Sequence, residues 1–99
     1  MIEIIKQVVQ DITDAEKIVL FGSRATGGFR SDSDYDILAI VSHPVEPRER
    51  LRLSTACRRE LAKMGIDADV LVKSPKEIRD YRDKRGSIVH EALASGIHL

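Results

Sequence analysis

Apolar residues recur along the chain with two different periods, one typical of helices and one typical of strands. Near the start they lie three and four positions apart, which places them on one face of an amphipathic helix: Ile2, Ile5, Val8, Val9 and Ile12. The runs at residues 17–21 and 35–41 are almost continuously apolar and predict two buried strands. Because the connection between them is too short for a full crossover helix, we expect antiparallel neighbours.

The second half of the chain predicts three more helices and a further strand. A helix runs from Pro47 to the cap at Gly65. Its apolar face is Leu51, Leu53, Ala56, Cys57, Leu61 and Met64, and its basic, solvated face is Arg48, Arg50, Arg52, Arg58, Arg59 and Lys63. A strand follows at residues 66–72. Ser74 and Ser87 are N-caps of helices at about residues 75–84 and 87–94.

The predicted order of elements is helix, strand, strand, helix, strand, helix, helix. Residues 97–99 are either a terminal strand or a frayed end. One further helical turn is expected directly after the first strand, at residues 24–27. This order predicts an α/β fold in which a small sheet packs against helices.

Composition limits the classes of function. The length of 99 residues suits a single domain, residues 1–99, with a modest core. Because 16 Lys and Arg balance 16 Asp and Glu, no global field favours nucleic acid, and we expect no direct nucleic-acid binding. The lone cysteine, Cys57, excludes an intrachain disulfide and fits a reducing cytoplasm. The charged N-terminal segment and the absence of an apolar run of ~20 residues argue against a signal peptide and a membrane span.

The stretch at residues 19–38 carries the candidate chemistry. Its first apolar run ends in Gly22, Ser23 and Arg24. Glycine lets the backbone approach a phosphate, Ser23 offers a hydroxyl and an N–H at a helical turn, and Arg24 can bind a phosphate bidentately. Arg30 is a weaker candidate for the same role. These residues predict a site for the phosphates of a nucleotide.

Two carboxylates, Asp34 and Asp36, stand where the second predicted strand begins. Residues two apart on a strand share a face, and two close carboxylates repel each other unless a cation lies between them. Magnesium prefers such hard oxygen ligands, and two-metal sites need carboxylates from more than one position. Asp69 is the candidate for a third carboxylate on another strand, with Asp67 as the alternative.

The combined pattern resembles the nucleotidyltransferase superfamily that includes DNA polymerase beta. That pattern is Gly22-Ser23, about a dozen residues, Asp34-x-Asp36, and a later strand aspartate. The fuller form Gly-Ser-Arg-Ala-x-Gly followed by Ser-Asp-x-Asp, together with the length and the ending at residues 91–99, is similar to its minimal branch, the MNT domains. The resemblance implies a polymerase beta-like nucleotidyltransferase fold with a small mixed sheet.

The same resemblance implies a reaction and a partner. Asp34, Asp36 and Asp69 would be catalytic and would bind two Mg2+ ions, while Gly22 and Ser23 would hold the triphosphate of a nucleotide. MNT domains of the MntA type are antitoxins paired with HEPN proteins, which are helical RNases, and some transfer AMP from ATP to a tyrosine of the toxin. The expected activity is therefore that of a protein adenylyltransferase acting on a HEPN toxin.

Several alternatives remain open from the residues alone. A catalytically inactive MNT domain could neutralise a toxin by contact. Transfer to a small molecule is disfavoured, because enzymes of that kind carry an additional substrate domain. Arg85 and His90 have the Arg-x4-His spacing of HEPN RNases, but Gly86 separates them from a common helix. We expect the acceptor surface to come from a partner or from a second copy in a homo-oligomer.

Overall fold

The computed structural model describes residues 1–27 and 34–99. The helices are α1 (Ile2–Thr13), α2 (Ser23–Thr26), α3 (Pro47–Lys63), α4 (Pro75–Tyr81) and α5 (Ile88–Ser95). The strands are β1 (Lys17–Phe21), β2 (Tyr35–Ile40), β3 (Ala68–Lys73) and β4 (Ile97–His98). The terminal segment is therefore a strand, not a frayed end. No helix in the described part of the chain is long and apolar enough to cross a bilayer.

The third strand begins two residues later than the sequence pattern predicts. Gly65 has a φ of +76°, and the Ile66 N–H donates to the Leu61 carbonyl at 3.0 Å, so these residues close the end of α3. Asp69 consequently lies at the second position of β3, near the end of the strand. Asp67 lies before the strand, so Asp69 is the nearer of these two candidates to the middle of β3, and its side chain is exposed.

The sheet is mixed, with strand order β3-β2-β1-β4. β1 pairs antiparallel with both β2 and β4, which confirms the antiparallel neighbours predicted for the first two strands. β2 and β3 run parallel, joined by α3 as a crossover helix. The C-terminal end of β1 and the N-terminal ends of β2 and β3 therefore meet at one end of the sheet.

Alternating side chains bury apolar surface on both faces of the sheet. One face packs on α1 and α3 and holds the larger cluster of buried residues: Ile5, Val8, Val9, Ala15, Ile18, Leu20, Ile37, Ala39, Val41, Val45, Leu53, Cys57, Leu61, Ile66, Val70 and Val72. The other face is smaller, with Val19, Leu38 and Ile40 packed on Ala92 of α5. Asp36 and Asp69 share the alternation of this smaller face.

Helix α3 buries a narrower stripe than predicted. Leu53, Cys57 and Leu61, spaced by four, are buried, whereas Leu51 and Met64 are 67% and 51% exposed. Arg50 also departs from the expected solvated face, because it forms an ion pair with Glu77.

Candidate active site

A tight turn connects β1 to the short helix α2. Gly22 has φ +73° and ψ −157°, a conformation open almost only to glycine. Its carbonyl accepts from the Ala25 and Thr26 N–H groups at 3.1 and 3.2 Å, and Gly27 ends the helical turn in the left-handed region. Ser23 is thus the first residue of α2, one position earlier than the predicted start of this turn.

Gly22 also lies against the carboxylate of Asp36. A Cβ atom added at Gly22 would overlap Asp36 Oδ2, so a side chain here would displace the carboxylate. The contact arises because Phe21, the residue before the glycine, pairs with Asp36 across the antiparallel strands. The turn predicted to hold phosphates and a carboxylate predicted to hold a metal are therefore direct neighbours.

The parallel pairing of β2 and β3 places Asp36 opposite Asp69. Neighbouring strands lie about 4.8 Å apart, and paired residues point to the same face. The Tyr35 N–H donates to the Asp67 carbonyl at 3.0 Å, so pairing continues to the point where Asp34 and Asp67 precede the two strands. Asp36 is half-buried, whereas Asp34, Asp67 and Asp69 are exposed. Of the two candidates for the third carboxylate, Asp69 is the one in register with Asp36.

Asp34, Asp36 and Asp69 form a group of acidic side chains at this end of the sheet, the carboxylate corner, and their negative charges repel one another. Burial raises the pKa of Asp36 above its ordinary value, and the negative charges of Asp69 and Asp34 raise it further. A divalent cation would relieve both effects, because it replaces lost hydration and cancels the repulsion.

The donor set suits magnesium. Asp34, Asp36 and Asp69 offer only hard carboxylate oxygens, and Mg2+ usually takes a few of these together with waters and phosphate oxygens. Within residues 1–27 and 34–99, no three carboxylate, imidazole or thiolate side chains are close enough to hold an ion as they stand.

Arg24 stacks on the ring of Tyr35, the first residue of β2. The guanidinium carbon lies 4.3 Å from the ring centroid. Because Tyr35 alternates with Asp36, its ring points to the opposite face of the sheet from the carboxylates. Arg24 therefore contacts a ring that faces away from the carboxylates, and its role as a phosphate ligand stays a prediction. Arg30 lies outside the described residues.

A cleft of about 560 Å3 opens beside the carboxylates. It runs between the C-terminal half of α3 and the start of β3, and it is lined by Asp34, Arg58, Arg59, Ala62, Ile66, Asp67, Ala68 and Asp69. Arg58 and Arg59 were expected on a solvated helix face. Nothing in the sequence brings them to the aspartates, because their proximity depends on how α3 packs against β3.

Comparison with known proteins gives a family match over almost the whole chain. The model of the family described as "Polymerase beta, Nucleotidyltransferase" matches residues 3–99. No curated protein matches the sequence.

Solved structures give a similar result. A chain of a toxin-antitoxin with AMP-PNP is 19% identical, with a TM-score of 0.64, and the match covers 99% of this chain and 72% of that one. A chain of a tri-AMPylated Shewanella oneidensis HEPN toxin in complex with MNT antitoxin is 17% identical, with a TM-score of 0.56. That match covers 97% of this chain and 66% of the other. A chain of the toxin-antitoxin MntA-HepT is 20% identical, with a TM-score of 0.52, and the match covers 97% of this chain and 65% of the other. At these identities the structural matches establish a shared fold.

Proposed function

Because the chain belongs to the polymerase beta nucleotidyltransferase family, we propose that it transfers AMP from ATP to a hydroxyl group of a partner protein. In this reaction the hydroxyl oxygen forms a bond to the α-phosphorus of ATP. The bond from that phosphorus to the bridging oxygen breaks, pyrophosphate leaves, and the hydroxyl proton passes to a base. The mixed sheet and helices have the polymerase beta-like fold predicted from the sequence.

One observation supports this proposal above the others: Gly22 abuts the carboxylate of Asp36, which in turn lies opposite Asp69. Nucleotidyl transfer needs a group that holds phosphates and a group that holds magnesium within a few ångströms of each other. Three consecutive strands, β1, β2 and β3, supply these groups side by side.

Each residue has a proposed role in the reaction. Gly22 allows the backbone to approach the phosphates, and Ser23 donates its N–H and hydroxyl to them. Asp34, Asp36 and Asp69 hold magnesium, two ions in the proposed active state, which would neutralise charge that moves between the attacking and leaving oxygens. Asp69, on the side away from Gly22, also helps to activate the attacking hydroxyl.

The proposed acceptor is a tyrosine of a HEPN toxin, which makes this chain the antitoxin of the pair. Support comes from the structural neighbours, one of which is an MNT antitoxin with an AMPylated HEPN toxin and another a toxin-antitoxin with AMP-PNP. The described surface also supports a protein partner, since the carboxylate corner is open to solvent.

A test incubates the protein with Mg2+, its HEPN partner and ATP labelled at either the α- or the γ-phosphate. Adenylyl transfer predicts label on the partner from α-labelled ATP only, and none with Asp34→Asn/Asp36→Asn. A partner that stays unlabelled in both cases, yet is neutralised equally by wild type and double variant, would establish a contact-only antitoxin instead.

A further inference from the structure

The cleft beside the carboxylates is lined by two arginines, Arg58 and Arg59, that have no part in the proposed phosphate and metal sites. We propose that Arg58 and Arg59 form an acceptor-side anion site that receives an acidic peptide segment of the acceptor protein. This inference rests on the proposed transfer to a protein hydroxyl, and it adds the charge of the segment that carries the hydroxyl.

The two arginines line the cleft and have no partner among the described residues. Arg58 and Arg59 line it opposite Asp34, Asp67 and Asp69. Neither arginine forms an ion pair or a hydrogen bond with any residue of the described ranges, 1–27 and 34–99. Their charges are therefore available to a ligand.

Another arginine of the same helix shows what a structural role looks like. Arg50 donates to both carboxylate oxygens of Glu77, at 2.7 and 2.6 Å. Such a bidentate pair fixes an arginine to its own fold and leaves little of its charge for a ligand. Helix α3 thus uses one arginine to join two elements and presents two others to a cleft.

Strand order determines which reactant meets these arginines. The Gly22 turn leaves β1, whereas Asp69 belongs to β3, the strand at the opposite side of β2. The cleft lies at the β3 edge of the sheet, where residues 66–69 line it, and it reaches as far as Asp34 before β2. If the triphosphate occupies the Gly22 side, the acceptor approaches from the β3 side, where Arg58 and Arg59 lie.

The chemistry of the cleft favours an acidic peptide over RNA. Arg59 also lines a second groove of about 360 Å3 with Leu51, Ala56 and two further arginines, Arg48 and Arg52. Apolar and basic side chains lie side by side in this groove, which suits an acidic segment that also carries apolar side chains. No aromatic side chain of the described residues lines either groove, so neither offers a platform for stacking bases.

The two walls of the cleft would also orient the segment. Carboxylates of the peptide are attracted to Arg58 and Arg59 and repelled by Asp67 and Asp69. A neutral hydroxyl next to those carboxylates meets no such repulsion. The acidic side chains are therefore held on the α3 wall, and the hydroxyl is the polar group that can approach Asp69.

Binding of synthetic peptides tests the proposal without requiring catalysis. The probes are a fluorescent dodecapeptide with one tyrosine flanked by four glutamates, the same peptide with glutamines, and a fluorescent U12 RNA. Proteins are wild type, Arg58→Gln/Arg59→Gln, and Arg85→Gln as the control, because Arg85 is exposed and lines neither groove. A fluorescent ATP analogue with Mg2+ reports the nucleotide side in each protein.

The proposal predicts that wild type binds the glutamate peptide about tenfold more tightly than the glutamine peptide at low salt. Arg58→Gln/Arg59→Gln loses this preference, Arg85→Gln keeps it, and both retain wild-type affinity for the ATP analogue. Equal affinity for the two peptides, a preference that survives in the double variant, tighter binding of U12, or loss of ATP-analogue binding in the double variant would each overturn it. Failure of the transfer assay alone would count against the proposed reaction and not against this site.

Discussion

Both ends of the β2–β3 strand pair carry charged side chains, but like charges face each other at one end and opposite charges pair at the other. At the N-terminal end, Asp36 lies opposite Asp69, and like charges face each other. At the C-terminal end, Lys73 lies 3.5 Å from Glu77, which also accepts two hydrogen bonds from Arg50. The first end sets like charges against each other across the two strands, and the second end pairs opposite charges within the chain.

The pKa values of the two ends differ accordingly. Hydrogen bonds from Arg50 lower the pKa of Glu77 to about 2, helped by the backbone N–H of Ser74. Burial and neighbouring aspartates raise the pKa of Asp36. The C-terminal end, where Glu77 is paired, stabilises the fold and is called the paired end below. The N-terminal end, the acidic end, lowers stability unless a cation binds. Such a cost is expected where a site is built for a ligand.

The largest predicted effect comes from removing one charge at the acidic end. Asp36→Asn should lower the proposed AMP transfer by about 100- to 1000-fold, because the proposed magnesium site loses its central ligand. In buffer with EDTA the same variant should melt at a temperature at least as high as wild type, since the repulsion with Asp69 and Asp34 is gone. Labelled-ATP transfer and thermal unfolding measure the two effects, and a lower melting temperature would show that the carboxylate is structural.

The next effect distinguishes the two candidates for the third carboxylate. Asp69→Asn should lower transfer by about 100-fold, because Asp69 is in register with Asp36. Asp67→Asn is the matched control, with an expected change below about threefold. Steady-state transfer rates at saturating ATP compare them. The reverse ranking would assign the role to Asp67.

Gly22→Ala tests the contact between the turn and the carboxylate. It should destabilise the fold by about 3 kcal/mol, since it adds backbone strain and a Cβ that overlaps Asp36 Oδ2. Gly27→Ala is the control, because Gly27 also has a positive φ but no atom near the added Cβ, and it should cost about 1 kcal/mol. Urea unfolding measures both variants. Equal losses would mean that the approach to Asp36 has no energetic consequence.

The smallest effect on function is expected at the paired end. Glu77→Gln should cost about 1–2 kcal/mol of stability and leave transfer unchanged, because it removes the charge that pairs with Arg50 and Lys73, far from the candidate site. The pKa of Glu77 is lower in the folded protein than its ordinary value of 4.5, so its stabilisation is complete above that pH and is lost as the pH falls towards about 2. Urea unfolding from pH 7 to pH 3 should therefore show a smaller acid-induced loss in the variant. A parallel loss in both proteins would exclude the ion pair as its cause.

Local features of the fold were predictable from the sequence, and pairings between distant residues were not. Ser74 is the N-cap of α4, as predicted, where it forms a capping box with Glu77, and β1 has the predicted bounds. Such features depend on neighbours within a few positions. The pairing of Arg50 with Glu77 spans 27 residues and depends on how α3 meets α4, so it was missed.

The candidate site divides in the same way. Gly22, Ser23, Asp34 and Asp36 were found from one continuous stretch, and Asp69 from its place on a strand. The register that puts Asp69 opposite Asp36 depends on how the apolar faces of two distant segments pack together, so it could not be predicted from either segment alone. The same is true of Arg58 and Arg59, which reach the site because α3 lies across the β3 edge.

Binding of Mn2+, a spectroscopic substitute for Mg2+, tests the central claim most directly. Electron paramagnetic resonance would measure free Mn2+ in titrations of wild type, Asp36→Asn and Glu77→Gln, each with AMP-PNP. The account predicts protein-dependent binding by wild type and Glu77→Gln, and its loss in Asp36→Asn. Equal binding by wild type and Asp36→Asn would contradict the claim that the acidic end of the β2–β3 pair is the metal site.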